Sequence, residues 1–191
     1  MIYETIITSV DAHGKPHIAP FGVRERDGRV LISPFRPSSS LDNLLRTGQA
    51  VMNLTDDVRI FAGALTGRRD WPVRPAEQVS GYVLQAALAH RELVLEEVQE
   101  DATRPVLIFR VVHAAMHAPF CGFNRAQAAV IELAVLVSRL HLLPQDKIIN
   151  ELAYLQIAID KTAGAKELEA WGWLVAAVNS HLHQNEPVDT A

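Results

Sequence analysis

The sequence has few of the features that mark secreted or nucleic-acid-binding proteins. It contains a single cysteine, Cys121, among 191 residues, so no disulfide can form within the chain. Acidic residues exceed basic ones, 22 Asp and Glu against 18 Lys and Arg, which gives a formal net charge of -4. This excess of negative charge does not favour the phosphate backbone as a partner. We therefore expect neither a disulfide-stabilised secreted domain nor a nucleic-acid-binding one.

Long hydrophobic runs are also missing. The most apolar stretch, residues 126–143, is interrupted by Glu132, Arg139 and His141. It therefore falls short of the roughly 20 apolar residues that are needed to cross a bilayer. The first residues include Glu4 but no basic segment, which is unlike a signal peptide. We expect a soluble, cytoplasmic protein without a membrane partner.

The common catalytic and nucleotide-binding motifs are absent. The sequence has no G-x-S-x-G, no Walker loop and no G-x-G-x-x-G, so hydrolase, NTPase and dinucleotide-binding functions lack support. Of its eight histidines, His113 and His117 are four residues apart. On a strand, which the preceding residues favour, that spacing separates them by about 13 Å. We therefore predict no metal site, and we interpret Cys121 as a small buried apolar residue, with a reactive thiol as the alternative.

The first part of the chain has the composition of a β-rich domain. Short runs of apolar, Thr and Ser residues are separated by turn residues, which predicts strands at 2–10, 17–23, 30–33, 49–54, 91–99 and 106–113. A short helix is expected at 41–47, ended by Gly48, while residues 56–67 are ambiguous. Several short strands with one helix among them indicate a closed or partly closed β-barrel.

The second part of the chain has helical periodicity. The pattern predicts helices at 125–142, 145–159 and 165–183. The predicted fold class is thus α+β, with a β-barrel domain over residues 1–120 and a three-helix domain over residues 121–185. Residues 186–191 are expected to form a flexible polar tail.

A serine-rich loop precedes the short helix of the first domain. Arg36, Ser38, Ser39 and Ser40 lead directly into the helix, with Asn43 in its first turn. A helix N-terminus presents unpaired backbone N–H groups and the positive end of the dipole, which favours a phosphate. Arginine and serine side chains supply further donors. The alternative is that Ser39 or Ser40 only caps the helix.

Three charges recur every seven residues in the second domain. Arg125, Glu132 and Arg139 share one face of a helix that is otherwise mostly Ala, Val, Ile and Leu. Because a helix that is apolar nearly all round is buried, we expect these charges to be paired with neighbouring helices or to line a cavity. Asn124 is either an N-cap or, together with Arg125, part of an anion site.

Blocks along nearly the whole chain carry a resemblance to a known family. The chain resembles the FMN-binding split-barrel flavoproteins and, more narrowly, the domain-of-unknown-function family numbered 447. In the first domain the matching blocks are residues 3–8 and 11–23, the loop Pro34-Phe35-Arg36-Pro37-Ser38-Ser39-Ser40, and Met52-Asn53-Leu54-Thr55-Asp56-Asp57. In the second they are Gly122-Phe123-Asn124-Arg125-Ala126, Ile131-Glu132, Ser138-Arg139-Leu140 and Ile159-Asp160-Lys161-Thr162-Ala163-Gly164.

The resemblance implies a homodimer of split barrels with bound FMN. It places the FMN phosphate at Arg36, Ser38, Ser39, Ser40 and Asn43. It places the flavin ring along Pro20, Phe21, Gly22 and Val23, where Gly22 would allow close approach, with polar contacts from Asn53, Thr55 and Asp56. Asn124 and Arg125 are further candidates for the cofactor site. Ser40 and Leu41 stand where the family usually has Thr and an aromatic residue, so a hydroxyl is kept and an aromatic contact is lost.

The implied activity is flavin-dependent oxidation and reduction of an unknown small molecule. No residue is assigned as a catalytic proton donor. Two alternatives remain open: a flavin-binding module without turnover, and a split barrel that binds deazaflavin or haem. His17 and His113 are the candidate axial ligands for haem.

Overall fold

The computed structural model describes residues 1–184, so the predicted tail at 186–191 lies outside the described residues. The chain divides into two compact units. The barrel unit comprises residues 1–56 and 69–120, and the helical unit comprises residues 57–68 and the chain from residue 121 onward. Residues 57–68, placed with the first domain from the sequence, thus cluster with the helices.

Eight strands and one helix form the barrel unit. In chain order they are β1 (Ile2–Val10), β2 (Pro16–Arg26), β3 (Arg29–Ile32), α1 (Ser39–Thr47), β4 (Gln49–Leu54), β5 (Val73–Pro75), β6 (Tyr82–Leu84), β7 (Ala89–Gln99) and β8 (Val106–Met116). Six strands close an antiparallel barrel in the order β1-β2-β3-β8-β7-β4, with β4 pairing back onto β1. Strands β5 and β6 form a separate two-stranded sheet.

Turn chemistry explains the first two hairpins. Asp11 Oδ1 accepts hydrogen bonds from the backbone N–H groups of His13 and Lys15, which closes the β1–β2 turn. The β2–β3 turn contains Asp27 and Gly28, both with positive φ (52° and 74°). Positive φ at both central residues is the requirement of the two-residue turn that matches strand twist. These two turns set the register of the first three strands.

The barrel core is filled by alternate side chains of its strands. Ile32, Leu93, Leu107 and Phe109 are fully buried there. Helix α1 contributes the buried side chains Leu41 and Leu44 to the same core. Gly48 ends the helix in the left-handed conformation (φ 62°) and donates its N–H to Leu44 O, as the sequence predicts.

In the part of the helical unit that the structure describes, the α-helices are α2 (Arg59–Leu65), α3 (Arg125–Val137), α4 (Gln145–Thr162) and α5 (Ala165–Gln184). The predicted helix at 125–142 is too long, because α3 ends at Val137 and a separate 3₁₀ turn, Leu140–Leu142, follows. The ambiguous segment at 56–67 contains α2. Val58 and Ala62 are buried in one core with Leu133 and Leu174, which explains why this segment clusters with the helices.

The three regularly spaced charges are exposed, so the expectation that α3 is buried all round is wrong. Arg125 and Glu132 line an open groove together with Tyr154 and Ile157 of α4. Arg139 lies beyond the end of α3. The burial pattern leaves one edge of α3 in solvent, where these charges remain hydrated. Among residues 1–184, none of the helices combines the length and the apolar character needed to cross a bilayer.

Candidate functional site

The start of α1 has donors without acceptors in the helix. Ser38 is the N-cap, and its Oγ accepts a hydrogen bond from the Leu41 N–H at 3.2 Å. The Asp42 N–H donates to Ser38 O at 3.1 Å. The backbone N–H groups of Ser39 and Ser40 precede these bonds and have no intrahelical acceptor. Capping therefore falls to Ser38, and Ser39 and Ser40 present the positive end of the helix.

His17 lies next to this helix start. Its Nε2 is 3.0 Å from the Oγ of the buried Ser40. Burial, and then the positive charge of Arg69, hold the pKa of His17 below its usual value, so its ring is neutral at neutral pH. A neutral imidazole and a hydroxyl can each donate or accept, which lets the pair adapt to an incoming anion. We call Ser39, Ser40 and His17 the α1 cradle.

The α1 cradle fits a phosphate monoester. Two backbone N–H groups at a helix N-terminus and one hydroxyl are the donors that such a group requires. The positive charge of Arg69 acts on His17 more strongly than the opposing charge of Asp11, which favours negative charge at the same place. Sequence reasoning placed the three serines here but missed His17 as part of the site. His17 and Ser40 are 23 positions apart, too far for a spacing signal, and they meet because β2, which carries His17, pairs with β1, against which α1 packs.

Two residues predicted for the phosphate site have other partners. The Arg36 guanidinium is exposed and pairs with Glu100 at 3.0 Å, while its backbone N–H donates to Thr103 O. Asn43 is buried, and its Nδ2 donates to Ser9 Oγ at 3.4 Å. Both side chains thus tie the loop and α1 to the barrel. Their predicted contacts with a phosphate stay predictions.

The predicted ring-binding segment lies on β2, paired with β1. Pro20, Phe21 and Gly22 are half-buried, whereas Val23 is buried in the barrel core, so only its backbone faces outward. A Cβ added at Gly22 would lie 2.9 Å from Ile2 Cγ2. Gly22 thus leaves room for the exposed Ile2 side chain of β1, and the predicted close approach of a flat ring stays a prediction.

The three polar residues predicted near the ring are at and after the end of β4. Asn53 is fully buried, donates from Nδ2 to Ile6 O (3.1 Å) and accepts at Oδ1 from the Leu84 N–H (2.9 Å). Thr55 Oγ1 donates to Ala86 O at 2.8 Å. Asp56 is half-buried at the end of the barrel segment. Asn53 and Thr55 thus join β4 to its neighbours in the described structure.

The two candidates from the second domain lie in the helical unit. Asn124 is the N-cap of α3, and its Oδ1 accepts from the Ala126 N–H at 2.7 Å. Its Nδ2 donates to Thr162 O at 3.0 Å. Of the two interpretations of Asn124, the capping one is what the structure displays. Arg125 is exposed at the groove beside α4, and its predicted contact with an anion stays a prediction.

Family comparison covers both parts of the chain. A family model described as "Protein of unknown function (DUF447) N-terminal domain" matches residues 3–118, and one described as "Protein of unknown function (DUF447)" matches residues 124–176. The first match alone spans more than half of the chain. The resemblance found in the sequence is thereby confirmed. No curated protein matches the chain.

Solved structures share the fold. The FMN-bound protein MM1853 from Methanosarcina mazei, also of DUF447, is 20% identical, with 92% of this chain and 94% of that one covered and a TM-score of 0.80. The 2-nitrobenzoate 2-nitroreductase NbaA from Pseudomonas fluorescens is 17% identical (60% and 64% covered, TM-score 0.52). The NADH:FAD oxidoreductase SgcE6 from Streptomyces globisporus C-1027 is 13% identical (60% and 70% covered, TM-score 0.51).

These similarities and the observed topology confirm the predicted fold class. The chain is α+β, a split β-barrel of the flavin-reductase type followed by C-terminal helices.

Proposed function

The chain belongs to the DUF447 family, and we propose that it is an FMN-binding flavoprotein that acts as an oxidoreductase on a small molecule. The observation that carries this proposal is the α1 cradle, a set of phosphate donors on a split barrel. The FMN-bound relative MM1853, which has the same fold over 94% of its length, supports the choice of FMN as the phosphate-bearing ligand.

The residues of the chain would bind and orient the cofactor. The N–H groups of Ser39 and Ser40 would hold the phosphate, and the neutral His17 ring would hydrogen-bond with Ser40 or with a phosphate oxygen. Bound FMN would supply hydride or electron transfer. No side chain of the cradle is needed as a proton donor, because positioning the cofactor and the substrate already contributes to the rate.

We further propose that the protein is a homodimer, as the family resemblance implies. Large apolar side chains on the barrel unit support it: Ile2 and Tyr3 of β1 and Met116 of β8 are exposed. Exposed apolar surface of this kind often marks an interface. Light scattering coupled to size exclusion should give the mass of two chains, and a single-chain mass at micromolar concentration would contradict the proposal.

The first experiment is an absorbance spectrum of the purified protein, before and after mixing with FMN and desalting. Retained flavin bands are expected. A Soret band would replace the FMN proposal with haem, retention of deazaflavin in preference to FMN would replace it with that cofactor, and loss of all flavin on desalting would reject cofactor binding at this site. Titration of FMN fluorescence then gives the affinity for variants.

Ser39→Pro is the sharpest test of the α1 cradle. Proline is favoured at the first position of a helix and removes only the N–H, and the preceding Ser38 is already in the extended conformation that proline requires (φ -159°, ψ 146°). Loss of one charge-assisted hydrogen bond should weaken FMN binding by about tenfold or more. Ser39→Ala, which keeps the N–H, is the matched control and should bind as the wild type does.

Wild-type affinity in Ser39→Pro, with an unchanged melting temperature, would remove the α1 cradle from the proposal. Arg36→Ala addresses the other predicted phosphate ligand separately: weaker FMN binding would restore Arg36 to the site, and unchanged binding would leave it as the partner of Glu100.

Turnover distinguishes an oxidoreductase from a flavin-binding module. The holoprotein should oxidise NADH, or a reduced deazaflavin donor, in the presence of an electron acceptor faster than free FMN at the same concentration. Retention of FMN without any acceleration over free FMN would support the binding module and reject the enzymatic proposal.

A further inference from the structure

A second group of polar side chains lies where β7 meets β8, outside the α1 cradle. His90 and Glu92 are two residues apart on β7 and therefore share one face of the strand. The register pairs Glu92 with His113 of β8. One ligand atom from each of these three residues lies within 4.8 Å of the others. The side chains of His90 and Glu92 are completely buried.

His117 is the second partner of the His90 ring. His90 Nδ1 lies 2.8 Å from His117 Nε2, so one of these two nitrogens donates to the other. One Arg74 nitrogen lies 2.9 Å from His117 Nε2 and 3.4 Å from its Nδ1, which places the guanidinium over the ring face. In the tautomer in which His90 Nδ1 donates, Nε2 of the neutral ring has the lone pair that a metal ligand needs.

Three atoms that can each bind a metal face one another. His90 Nε2 lies 3.2 Å from Glu92 Oε1. His113 Nε2 is buried and, among the described residues, has no hydrogen-bond partner, since the Glu77 carboxylate at 3.5 Å is too far for a good one. One shared proton would satisfy the contact between His90 and Glu92 but would not improve the position of His113. A metal cation satisfies all three atoms together.

The carboxylate of Glu92 is oriented in advance. Its Oε1 accepts from the Glu77 N–H (2.7 Å), and its Oε2 accepts from the N–H groups of Gln78 (2.6 Å) and Val79 (2.9 Å). The same loop brings the exposed Glu77 carboxylate to within 3.5 Å of His113 Nε2. Glu77 thus stands where a fourth ligand would be needed.

We propose that His90, Glu92 and His113, with Glu77 as an outer fourth ligand, bind a divalent first-row transition-metal ion, of which zinc is the best probe. With ligands at about 2.0–2.1 Å in a tetrahedron, neighbouring donor atoms lie about 3.3 Å apart. The separations of 3.2 Å between His90 and Glu92 and 3.5 Å between His113 and Glu77 are close to this value, and the ligand atoms of His90, Glu92 and His113 all lie within 4.8 Å of one another. Two imidazoles with carboxylates form a donor set that suits zinc or ferrous iron.

The surroundings complete the site. With a metal at Nε2, His90 would donate its other ring N–H to His117, which Arg74 contacts in turn. An outer partner of this kind sets the tautomer and orientation of a metal-binding histidine. No metal site was predicted from the sequence, because the spacing of His113 and His117 along one strand was too wide for a shared ion. The ligands come from β7, β8 and the loop after β5, and the strand register alone brings them together.

The test is zinc binding by the full chain, freed of any histidine tag and stripped with a chelator. Bound zinc is measured by elemental analysis, and affinity by competition with a chromophoric chelator. The wild type should bind one ion per chain with micromolar affinity or better. His117→Ala, which removes a residue that only contacts the ligand His90, should weaken zinc binding by about 10–100-fold. His113→Ala, which removes a ligand, should weaken it by at least about 100-fold.

His13→Ala, at an exposed turn of the same unit, is the matched control and should bind as the wild type does. Melting curves in chelator establish that each variant folds, and His113→Gln replaces His113→Ala if that variant does not. Cobalt substitution gives an independent readout, since an intense visible band reports four-coordinate binding. Absence of stoichiometric zinc in the wild type, or unchanged affinity without the His113 ring, would overturn the proposal.

Discussion

The barrel unit and the helical unit differ in what they bury. Within residues 1–184, most buried polar side chains lie in the barrel unit, among them Thr5, Thr8, Asn53 and His90. The core of the helical unit consists mainly of Ala, Val, Leu and Ile, and Asp57 is one of its few buried polar residues.

The difference follows from backbone hydrogen bonding. A helix satisfies most of its N–H and C=O groups internally, so helices pack mainly through apolar side chains. The barrel must also connect its strands to loops and to the β5–β6 sheet, whose backbone groups need partners from elsewhere. Asn53 bonds β1 and β6, and Glu92 bonds the loop after β5. Both candidate sites are made from this polar framework of the barrel.

Truncating a buried leucine in either apolar core should cause the largest loss of stability, and the loss should be similar in the two units. Leu93 in the barrel unit and Leu133 in the helical unit are both fully buried. Leu93→Ala and Leu133→Ala should each lower the free energy of unfolding by about 3–4 kcal/mol, from lost burial and the cavity left behind. Urea denaturation measures both. A loss below about 1 kcal/mol for either variant would mean that its core is not closely packed.

Replacing one asparagine in each unit should show a larger loss of stability in the barrel unit than in the helical unit. Asn53→Ala leaves the buried Leu84 N–H and Ile6 O without their partner and should cost about 3 kcal/mol. Asn124→Ala removes a helix cap and should cost only about 1 kcal/mol. Equal losses in urea denaturation would contradict the view that the barrel depends more on its polar side chains.

Asp57 is an exception in the helical unit because it is a charged side chain buried beside a mainly apolar core. Burial would raise its pKa, but hydrogen bonds from Arg59 (2.7 Å) and the charge of Lys166 outweigh burial and hold the pKa below its usual value. Its stabilisation is present above the unfolded pKa of about 4 and is lost as the pH falls through the lower folded pKa.

Asp57→Asn should cost about 2 kcal/mol at neutral pH, less than a fully buried pair because Arg59 is partly exposed. The difference between variant and wild type should shrink in denaturation measured at about pH 3. A difference that is independent of pH would remove the ionised carboxylate as its cause.

Replacing His17 should have the smallest effect on stability. Its pKa is lowered in the folded protein, so below the unfolded value of about 6.5 the unfolded state binds more protons and stability falls with falling pH. His17→Gln should remove this contribution, which is well under about 1 kcal/mol because solvent screens a half-buried group. The variant should lose less stability than the wild type between about pH 7 and pH 5, and the opposite order would contradict a lowered pKa.

Local patterns predicted the six strands of the closed barrel and α1 with its glycine end, because turn chemistry and periodicity act over a few residues. The family came from the resemblance of blocks along nearly the whole chain. They failed where long-range packing decides. Residues 57–68 lie in the helical unit because Val58 and Ala62 pack with Leu133, about 70 residues later. The end of α3 at Val137 was missed as well, since the apolar run continues beyond it.

The candidate site was predicted only in part. Ser38, Ser39 and Ser40 could be recognised because they adjoin a helix start, and the family resemblance named them too. Arg36 shows the limit of such reasoning, because its charge suits a phosphate but its guanidinium pairs with Glu100, 64 residues away. His17 had no local signal, since its place beside Ser40 depends on the hairpin.

The sequence by itself determined the six strands of the closed barrel, the C-terminal helices apart from the end of α3, the α+β class and the serine-rich helix start, since these depend on residues close together along the chain. Tertiary structure decided which polar groups meet: His17 with Ser40, Asn53 with the backbone N–H of Leu84, and His90 with Glu92 and His113. The physical reason is that a closed barrel brings distant strands into a single register, and a shift of one residue would turn these side chains to the opposite face.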